Sequence, residues 1–333
     1  MLLARFYRMN GLRLAFYMLS VCLMCTPSLF AQSDIQLERD TILMGSKFQI
    51  TIVTPDSAVG NLQIDQAIAE IVRIENLISE WRSHTQVSKI NRQAGKQAVK
   101  VDKELFDLTK RAIAYSQMTN GAFDISIAAM DKIWVFDGTM TEKPTEQAIQ
   151  KSITNVGYQH IILDSVASKI FLAREGMKIG FGSIGKGYAA DKGRELLQAQ
   201  GVKAGIVNAS GDIALWGTQP NRKPWRIGIN NPFKRHGIAN ILKLKEAAVA
   251  TSGSYEKYAE IDNIRYSHII NPTTGYPATG LTSVTVYGPS AEFANALSTS
   301  IMVLGLHEGK KLIKRFPHYK IIMITDKGKI IKR

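Results

Sequence analysis

The feature that most constrains the fold is a series of short β segments in the second half of the chain. From about residue 178 onward the β content rises, and only two predicted helices interrupt the strands. Adjacent β segments favour antiparallel or mixed pairing, whereas a doubly wound sheet alternates strands with helices. We therefore predict the α+β class, with mixed or antiparallel sheets and flanking helices, and not a doubly wound Rossmann sheet. The strands are predicted near 177–181, 203–208, 212–216, 225–229, 240–244, 247–251, 267–270, 282–287 and 319–324.

The first half of the chain is richer in helical patterns. Apolar residues recur at helical spacing over 61–81, which predicts a long amphipathic helix. Apolar and polar residues alternate over 46–53, which predicts a strand before it. The segments YQHIILD and SKIFLA predict a hairpin. The remaining helices are predicted at 103–119, after Pro144, at 185–200 and at 291–304.

The first 31 residues have the pattern of a secretory signal peptide. Three arginines and no acid precede an apolar stretch of about 18 residues, which ends at Ala31 before the polar QSD. A retained membrane anchor is the alternative, but the stretch is short for a span and contains Pro27 near its end. We expect export, with cleavage near Ala31 and a single mature domain over 32–333.

Both cysteines, Cys22 and Cys25, lie inside the predicted signal. The mature chain would then contain no disulfide, cysteine nucleophile or thiolate metal ligand. A lipoprotein signal places its cysteine after a small residue. Val21 and Met24 precede the two cysteines instead, which disfavours lipidation.

The net charge of +14 favours an anionic partner, such as nucleic acid, an anionic membrane surface or a phosphorylated ligand. Export disfavours nucleic acid. The lysines are spread along the chain, so a surface that only keeps the protein soluble explains the charge equally well.

The stretch KIGFGSIGKGYAAD, residues 178–191, matches two phosphate-binding patterns in part. Its glycines satisfy G-x-G-x-x-G and also the start of a P-loop, but Gly187 stands where a P-loop needs Ser or Thr. A Rossmann site also needs an acid that closes the second strand, but here that strand, KAGIVNAS, brings no acid until Asp212. The alternatives are a tight strand-to-helix turn without a ligand, or a helix start that receives a diphosphate with help from Lys186.

Further marked segments follow one another along the chain. They are LMGSKF (43–48), SEWRSHTQVSKIN (79–91), GAFDISIAAMDKIWVF (121–136), VNASGDIALWG (207–217), ATSGSYEKY (250–258), SHIINPTTGYP (267–277) and SAEFANALSTSIMVLG (290–305). With the glycine stretch, and in this order, they resemble the ApbE family, the FAD:protein FMN transferases. The resemblance runs from about residue 38 to the C-terminus.

This resemblance implies a chemistry and a location. Such a protein binds FAD together with a divalent cation, usually Mg²⁺. It transfers FMN to a threonine of an acceptor protein through a phosphoester bond, and AMP leaves. The acceptor is expected to be a membrane-bound redox subunit. With the predicted signal, this places the protein in the periplasm or on the outer face of the inner membrane.

The resemblance also assigns residues to the flavin or its adenosine end. Met44, Trp81 and the segment Ala122, Phe123 and Asp124 should contact the cofactor, and the two aromatic rings suit flat ligands. Two structural alternatives stand beside this assignment. Trp81 could be the last core position of its helix, and Asp124 could only cap the next turn.

Metal ligands are implied at four positions. Ser183 should offer its backbone carbonyl, and Asn295, Ser298 and Thr299 match the metal-binding cluster of the family. Their spacing of i, i+3 and i+4 places the last three on one helical face. A face of small residues that packs closely on a sheet is the alternative.

His268 is the implied general base. An imidazole with an ordinary pKa of about 6.5 can accept a proton at neutral pH. Ile269 should contact the cofactor through its backbone, and Lys186 should face it.

Two residues depart from the family pattern. Gly180 and Asn295 stand where many members have Asp. Gly180, although assigned to the cofactor site, therefore brings no acid, and Asn295 offers a carbonyl oxygen without charge. Two other activities stay open, namely an FAD pyrophosphatase that gives FMN and AMP, and a non-catalytic exported FAD-binding protein.

Overall fold

An eight-stranded antiparallel sheet forms the centre of the protein in the computed structural model, which describes residues 34–234, 237–255 and 257–333. Its strands run in the order β1-β2-β6-β7-β10-β13-β14-β15, and every neighbouring pair is antiparallel. The sheet confirms the predicted α+β class. These strands are β1 (Ile35–Leu43), β2 (Ser46–Thr54), β6 (Ala204–Ala209), β7 (Asp212–Trp216), β10 (Ala247–Gly253), β13 (Leu281–Gly288), β14 (Lys320–Thr325) and β15 (Ile330–Lys332).

Three smaller sheets make up the rest of the β structure in the described residues. The predicted hairpin is present and is joined by one short strand in the order β3-β5-β4. The other two are separate hairpins, β8-β9 and β11-β12. Their strands are β3 (Val99–Lys100), β4 (Ile161–Asp164), β5 (Lys169–Leu172), β8 (Trp225–Asn230), β9 (Ile238–Leu244), β11 (Tyr258–Ile261) and β12 (Ile264–Ser267).

Five of the described helices were predicted, and the short helix over 86–92 was not. The first begins after Asp56, whose side chain accepts hydrogen bonds from the N–H groups of Ala58 and Val59, and it ends before Trp81. No described helix is long and apolar enough to cross a membrane. The helices are α1 (Ser57–Ile78), α2 (Gln86–Arg92), α3 (Lys103–Met118), α4 (Glu146–Ser152), α5 (Gly185–Ala199) and α6 (Ala291–Lys314, with a break at Gly305).

Strand β7 shows why the centre of the sheet is buried on both faces. Ala214 and Trp216 pack into the core that includes α1 and α5, while Ile213 and Leu215 pack against the hairpin β8-β9. Successive side chains of a strand point to opposite faces, so each face needs its own cover. The helices cover one face, and the hairpin covers part of the other.

The predicted strand at 177–181 is wrong. This segment is extended, but the side chain of Asn91 takes the place of a neighbouring strand. Its amide donates to the carbonyl of Ile179 at 3.0 Å, and its oxygen accepts from the N–H of Ile179 at 2.8 Å. The N–H of Gly180 donates to the carbonyl of Ile125 at 3.0 Å.

The predicted strand at 267–270 is also displaced. The strand β12 ends at Ser267, and the chain then turns. Beyond it, the N–H of Ala278 donates to the carbonyl of Ile269, and Ile270 forms an isolated bridge with Pro277. His268 therefore lies at a strand end, where its side chain is exposed.

The predicted signal peptide, 1–31, lies outside the described residues, and its cleavage stays a prediction.

Candidate active site

Six residues that the resemblance assigned to the site meet around one cavity of about 610 Å³. The glycine turn, the start of β7, the strand β8, the end of β10 and the helix α6 surround it. We call it the donor cavity because many of the residues that line it have side chains with oxygen atoms. The six residues are Ser183, Lys186, His268, Ile269, Asn295 and Thr299.

A second cavity, of about 650 Å³, adjoins the first. Ile127 and Ile270 line both cavities, so the two are neighbours. Trp81, Trp134 and Phe136 line the second cavity, which we call the aromatic cavity. Together, the two cavities fit an elongated ligand with a polar part and a flat aromatic part.

Trp81 is three residues past the last residue of α1, and 78% of its surface is exposed. Lys132 Nζ lies 5.1 Å from the centroid of its ring. The alternative in which Trp81 is a core position of the helix is therefore wrong. An exposed ring at the mouth of a cavity is available to stack on a flat ligand.

The glycine turn brings α5 into contact with the beginning of α6. A Cβ added at Gly187 would lie 2.5 Å from the carbonyl oxygen of Ala291, so a side chain at this position would collide with α6. Asp191 also joins the two helices. Its carboxylate accepts from Ser290 Oγ and from the N–H of Glu292. Close helix packing thus explains the glycine at position 187, where a P-loop would have Ser or Thr.

On α6, two of the three predicted ligands face the donor cavity. Asn295 and Thr299 line it, whereas Ser298 is fully buried. The Ser298 hydroxyl donates to the carbonyl of Asn295 at 3.0 Å and pairs with Ser252 Oγ at 2.8 Å. Ser298 therefore holds α6 against β10, as the packing alternative predicted, and it does not line the cavity.

Asp212 is a site residue that the sequence analysis did not assign. It begins β7, lines the donor cavity and accepts a hydrogen bond from Asn295 Nδ2. Burial raises the pKa of its carboxyl to about 7, although Lys186 and the hydrogen bond from Asn295 act in the opposite direction. The segment VNASGDIALWG was already marked, but only the fold reveals that its acid reaches α6.

One ring nitrogen of His268 contacts the backbone. Its Nδ1 lies 3.0 Å from the backbone carbonyl oxygen of Lys257. A carbonyl oxygen only accepts, so in the neutral ring Nδ1 carries the hydrogen and Nε2 becomes the basic nitrogen. The ring of Phe136 meets that of His268 edge to face, with 6.5 Å between centroids. His268 thus lies where the two cavities adjoin.

The space beside Gly180 is filled by a carboxylate from another part of the chain. A Cβ at position 180 would lie 2.6 Å from Glu80 Oε1 and 2.9 Å from Glu80 Oε2. The Glu80 carboxylate accepts a backbone hydrogen bond from Phe181, and burial raises its pKa. Glu80 also lines the aromatic cavity. An acid is therefore present next to position 180, although it comes from position 80.

Five predicted cofactor contacts line neither cavity, namely Gly180 and four residues described next. Met44 packs against the main core, and Ala122 and Phe123 are buried. Asp124 accepts hydrogen bonds from Ser126 and from the N–H of Tyr158. This is the capping role that the structural alternative gave to Asp124, and burial raises its pKa.

The donor set suits a hard divalent cation. No group of three or more His, Cys, Asp or Glu side chains suited to a metal occurs in 34–234, 237–255 or 257–333. The candidate ligands are instead the Asn295 amide oxygen, the Thr299 hydroxyl and the Ser183 carbonyl, with the carboxylate of Asp212 beside them. Mg²⁺ and Ca²⁺ take oxygen ligands of these kinds.

An α+β protein with these neighbouring cavities is a candidate for binding a large ligand that has both charged and aromatic parts. Comparison with known proteins is more specific, since residues 44–323 match the model of the ApbE family. The chain belongs to this family, which confirms the resemblance seen in its sequence.

Related proteins are similar to this chain over most of their length. The chain is 30% identical to an FAD:protein FMN transferase of Klebsiella pneumoniae, over 87% of this chain and 89% of that protein. It is 29% identical to one of Treponema pallidum, over 87% and 84%. Among solved structures, the ApbE protein of Thermotoga maritima is similar with a TM-score of 0.81 and 30% identity, over 90% of this chain and 97% of that one. The apo flavinyl transferase ApbE of Pseudomonas stutzeri gives 0.79 and 27%, over 92% and 96%.

Proposed function

We propose that the protein is an FAD:protein FMN transferase that uses Mg²⁺ and modifies a threonine of an acceptor protein. One observation carries the proposal. His268, with Nε2 as its basic nitrogen, lines the same cavity as the oxygen donors of α6 and the glycine turn. A base beside a cation site is what transfer of a phosphoryl-linked group to a hydroxyl requires.

The reaction balances with one base and one leaving group. His268 Nε2 takes the proton of the acceptor threonine hydroxyl. At the same time, the hydroxyl oxygen of the threonine attacks the phosphorus of the FMN half of FAD. A new P–O bond forms, the P–O bond of the diphosphate breaks, and AMP leaves with the electron pair. Asn295, Thr299 and the Ser183 carbonyl would hold Mg²⁺, which offsets negative charge on the diphosphate and on AMP.

The two cavities divide the binding of FAD between them. Lys186 and the start of α5 supply positive charge to the donor cavity, which suits the diphosphate. Trp81, Trp134 and Phe136 offer rings to a flat end of FAD in the aromatic cavity.

Hydrolysis of FAD to FMN and AMP is a second candidate, because the His268 side chain is exposed. Water could then replace threonine as the nucleophile. A non-catalytic FAD-binding protein is the third outcome that an assay can reveal.

The decisive assay incubates the protein with FAD, Mg²⁺ and an acceptor domain and weighs the acceptor by mass spectrometry. We expect a gain of one FMN. His268→Ala should slow the transfer by about 10²–10⁴-fold, since it removes a general base. His307→Ala is the matched control, because His307 is an exposed histidine on α6 that lines neither cavity. Release of FMN and AMP without acceptor would favour the pyrophosphatase, and intact FAD would favour the binding protein.

The proposal includes export to the periplasm or the outer face of the inner membrane, where a membrane-bound redox subunit would be the acceptor. Its support is the pattern of residues 1–31. Fractionation of cells followed by N-terminal sequencing tests it. A mature N-terminus near residue 32 in the periplasmic fraction is expected, and an intact N-terminus in the cytoplasm would contradict it.

A further inference from the structure

The donor cavity contains one carboxylate that the assigned ligand set does not use. Asp212 is the sole acidic residue among the described residues that line this cavity. Only 5% of its surface is exposed, which makes the charged form costly unless a cation or several donors stabilise it.

The two oxygen atoms of Asp212 differ in their surroundings. Oδ2 accepts the hydrogen bond from Asn295 Nδ2. Oδ1 has no hydrogen-bond donor within the described part of the chain. Among the described residues, Gln200 Oε1 is the sole fully buried side-chain N or O atom that lacks a partner. Since Asp212 Oδ1 also lacks a partner, it cannot be fully buried. Oδ1 therefore opens on the cavity.

The same hydrogen bond fixes the amide of Asn295. A carboxylate can only accept, so it selects the orientation in which Nδ2 points toward Asp212. The amide oxygen of Asn295 is then the atom available to the cavity. Thr299 lies one helical turn further on the same face of α6 and lines the same cavity. Carboxylate, amide and hydroxyl oxygens thus converge from β7 and α6.

The net charge of these oxygen ligands also affects how tightly a cation binds. Asn295 and Thr299 are neutral, and Lys186 adds positive charge to the cavity. Divalent cations bind more tightly as the number of anionic ligands rises, and Mg²⁺ in particular is held through carboxylates. Without Asp212, the protein would offer the divalent cation only neutral ligands.

We propose that Asp212 is the anionic ligand of the divalent-cation site, where Oδ1 binds the cation and Oδ2 orients the Asn295 amide so that its oxygen binds as well. The negative charge that Asn295 lacks thus comes from the neighbouring strand. The inference rests on the proposed function only in taking the donor cavity as the place of the cation.

The experiment uses Mn²⁺ as the probe and measures its binding by electron paramagnetic resonance, with and without FAD and with no acceptor present. Asp212→Asn should weaken Mn²⁺ binding by about 10–100-fold, as loss of groups that orient or charge a metal site does. Asp164→Asn is the matched control, because Asp164 is an exposed acid on β4. It should leave the affinity unchanged.

A double variant moves the charge back to α6. In D212N/N295D the hydrogen bond is kept with donor and acceptor exchanged, and the carboxylate stands on the helix. Mn²⁺ affinity should return to within about threefold of the original, whereas a loss caused by a disrupted fold in D212N would not be reversed by a second substitution. The single variant N295D is less informative, because it places two carboxylates against each other.

Three results would overturn the inference. They are unchanged Mn²⁺ affinity in D212N, a double variant that binds as weakly as D212N, and an unsubstituted protein that shows no saturable Mn²⁺ binding with or without FAD. The measurement needs no flavin transfer. A protein that binds Mn²⁺ as expected but modifies no acceptor would therefore refute the transferase proposal and leave the assignment of Asp212 intact.

Discussion

At the scale of single residues, Glu80 and Gly180 depend on each other for space. The Glu80 carboxylate occupies the volume that a side chain at position 180 would need. We expect Gly180→Asp to destabilise the protein by about 1–3 kcal/mol, as overpacking and like-charge contact do. Thermal unfolding of Gly180→Asp measures this cost.

The coupled variant E80A/G180D supplies the control. Its melting temperature should lie above that of Gly180→Asp, because the carboxylate of Glu80 no longer competes for the space. Equal melting temperatures for the two variants would show that the contact between positions 80 and 180 has no energetic consequence.

Glu80 also predicts a dependence of stability on pH. Its pKa is raised from 4.5 in the folded protein, mainly by burial, so the folded state holds the proton longer than the unfolded state. The free energy of unfolding contributed by this group is therefore greatest below about pH 4.5 and is lost as pH rises through the folded pKa. Glu80→Gln removes this loss.

Denaturant unfolding of both proteins across pH 4–8 tests the prediction. The unsubstituted protein should lose stability relative to Glu80→Gln as the pH rises. A stability difference that is constant with pH, or that changes in the opposite direction, would contradict the burial-raised pKa.

The residue scale is also where sequence reasoning missed most. Asp212 and Glu80 reach the site only because β7 lies beneath α6 and because the chain after α1 approaches the glycine turn. Nothing local in the sequence encodes these contacts. By contrast, His268, Asn295 and Thr299 lie in motifs that resemble those of the family. The resemblance therefore assigned them to one site without knowledge of the fold.

At the scale of elements, the contact between α5 and α6 sets the position of the oxygen donors. A Cβ at Gly187 would lie 2.5 Å from the carbonyl oxygen of Ala291 and would push the two helices apart. We expect Gly187→Ala to lower the free energy of unfolding by about 1–3 kcal/mol, despite the helix propensity of alanine. Denaturant titration measures the change.

Gly182→Ala is the matched control in the same turn. A Cβ at position 182 would meet nothing within 4 Å, and its φ is not in the left-handed region. It should change the free energy of unfolding by less than about 0.5 kcal/mol. Equal losses in both variants would mean that the turn, and not the helix contact, limits stability.

Helices and most strands were predictable because their periodicity is local. The exceptions have tertiary causes. Residues 177–181 look like a strand because they are extended and apolar, but the side chain of Asn91 satisfies the backbone of Ile179. The strand expected over 267–270 ends at Ser267, and beyond it the carbonyl of Ile269 accepts from the N–H of Ala278 across the loop.

At the scale of the whole molecule, the predicted mature chain carries no thiol, since both cysteines lie within residues 1–31. Its stability should therefore be independent of redox conditions. The melting temperature of residues 32–333 should be the same, within about 1 °C, in reduced and in oxidised glutathione. A difference of several degrees would require a redox-sensitive group other than cysteine, such as an accessible methionine.

The exposure of Trp81 has an optical consequence. The protein has four tryptophans, of which Trp134, Trp216 and Trp225 are buried, whereas Trp81 is 78% exposed. A small collisional quencher in solution should therefore extinguish the emission of Trp81 almost selectively. Any flat ligand that settles over this ring would shield it from the quencher. The protein thus contains an intrinsic fluorescent reporter at the mouth of its aromatic cavity, and binding there can be followed without a label.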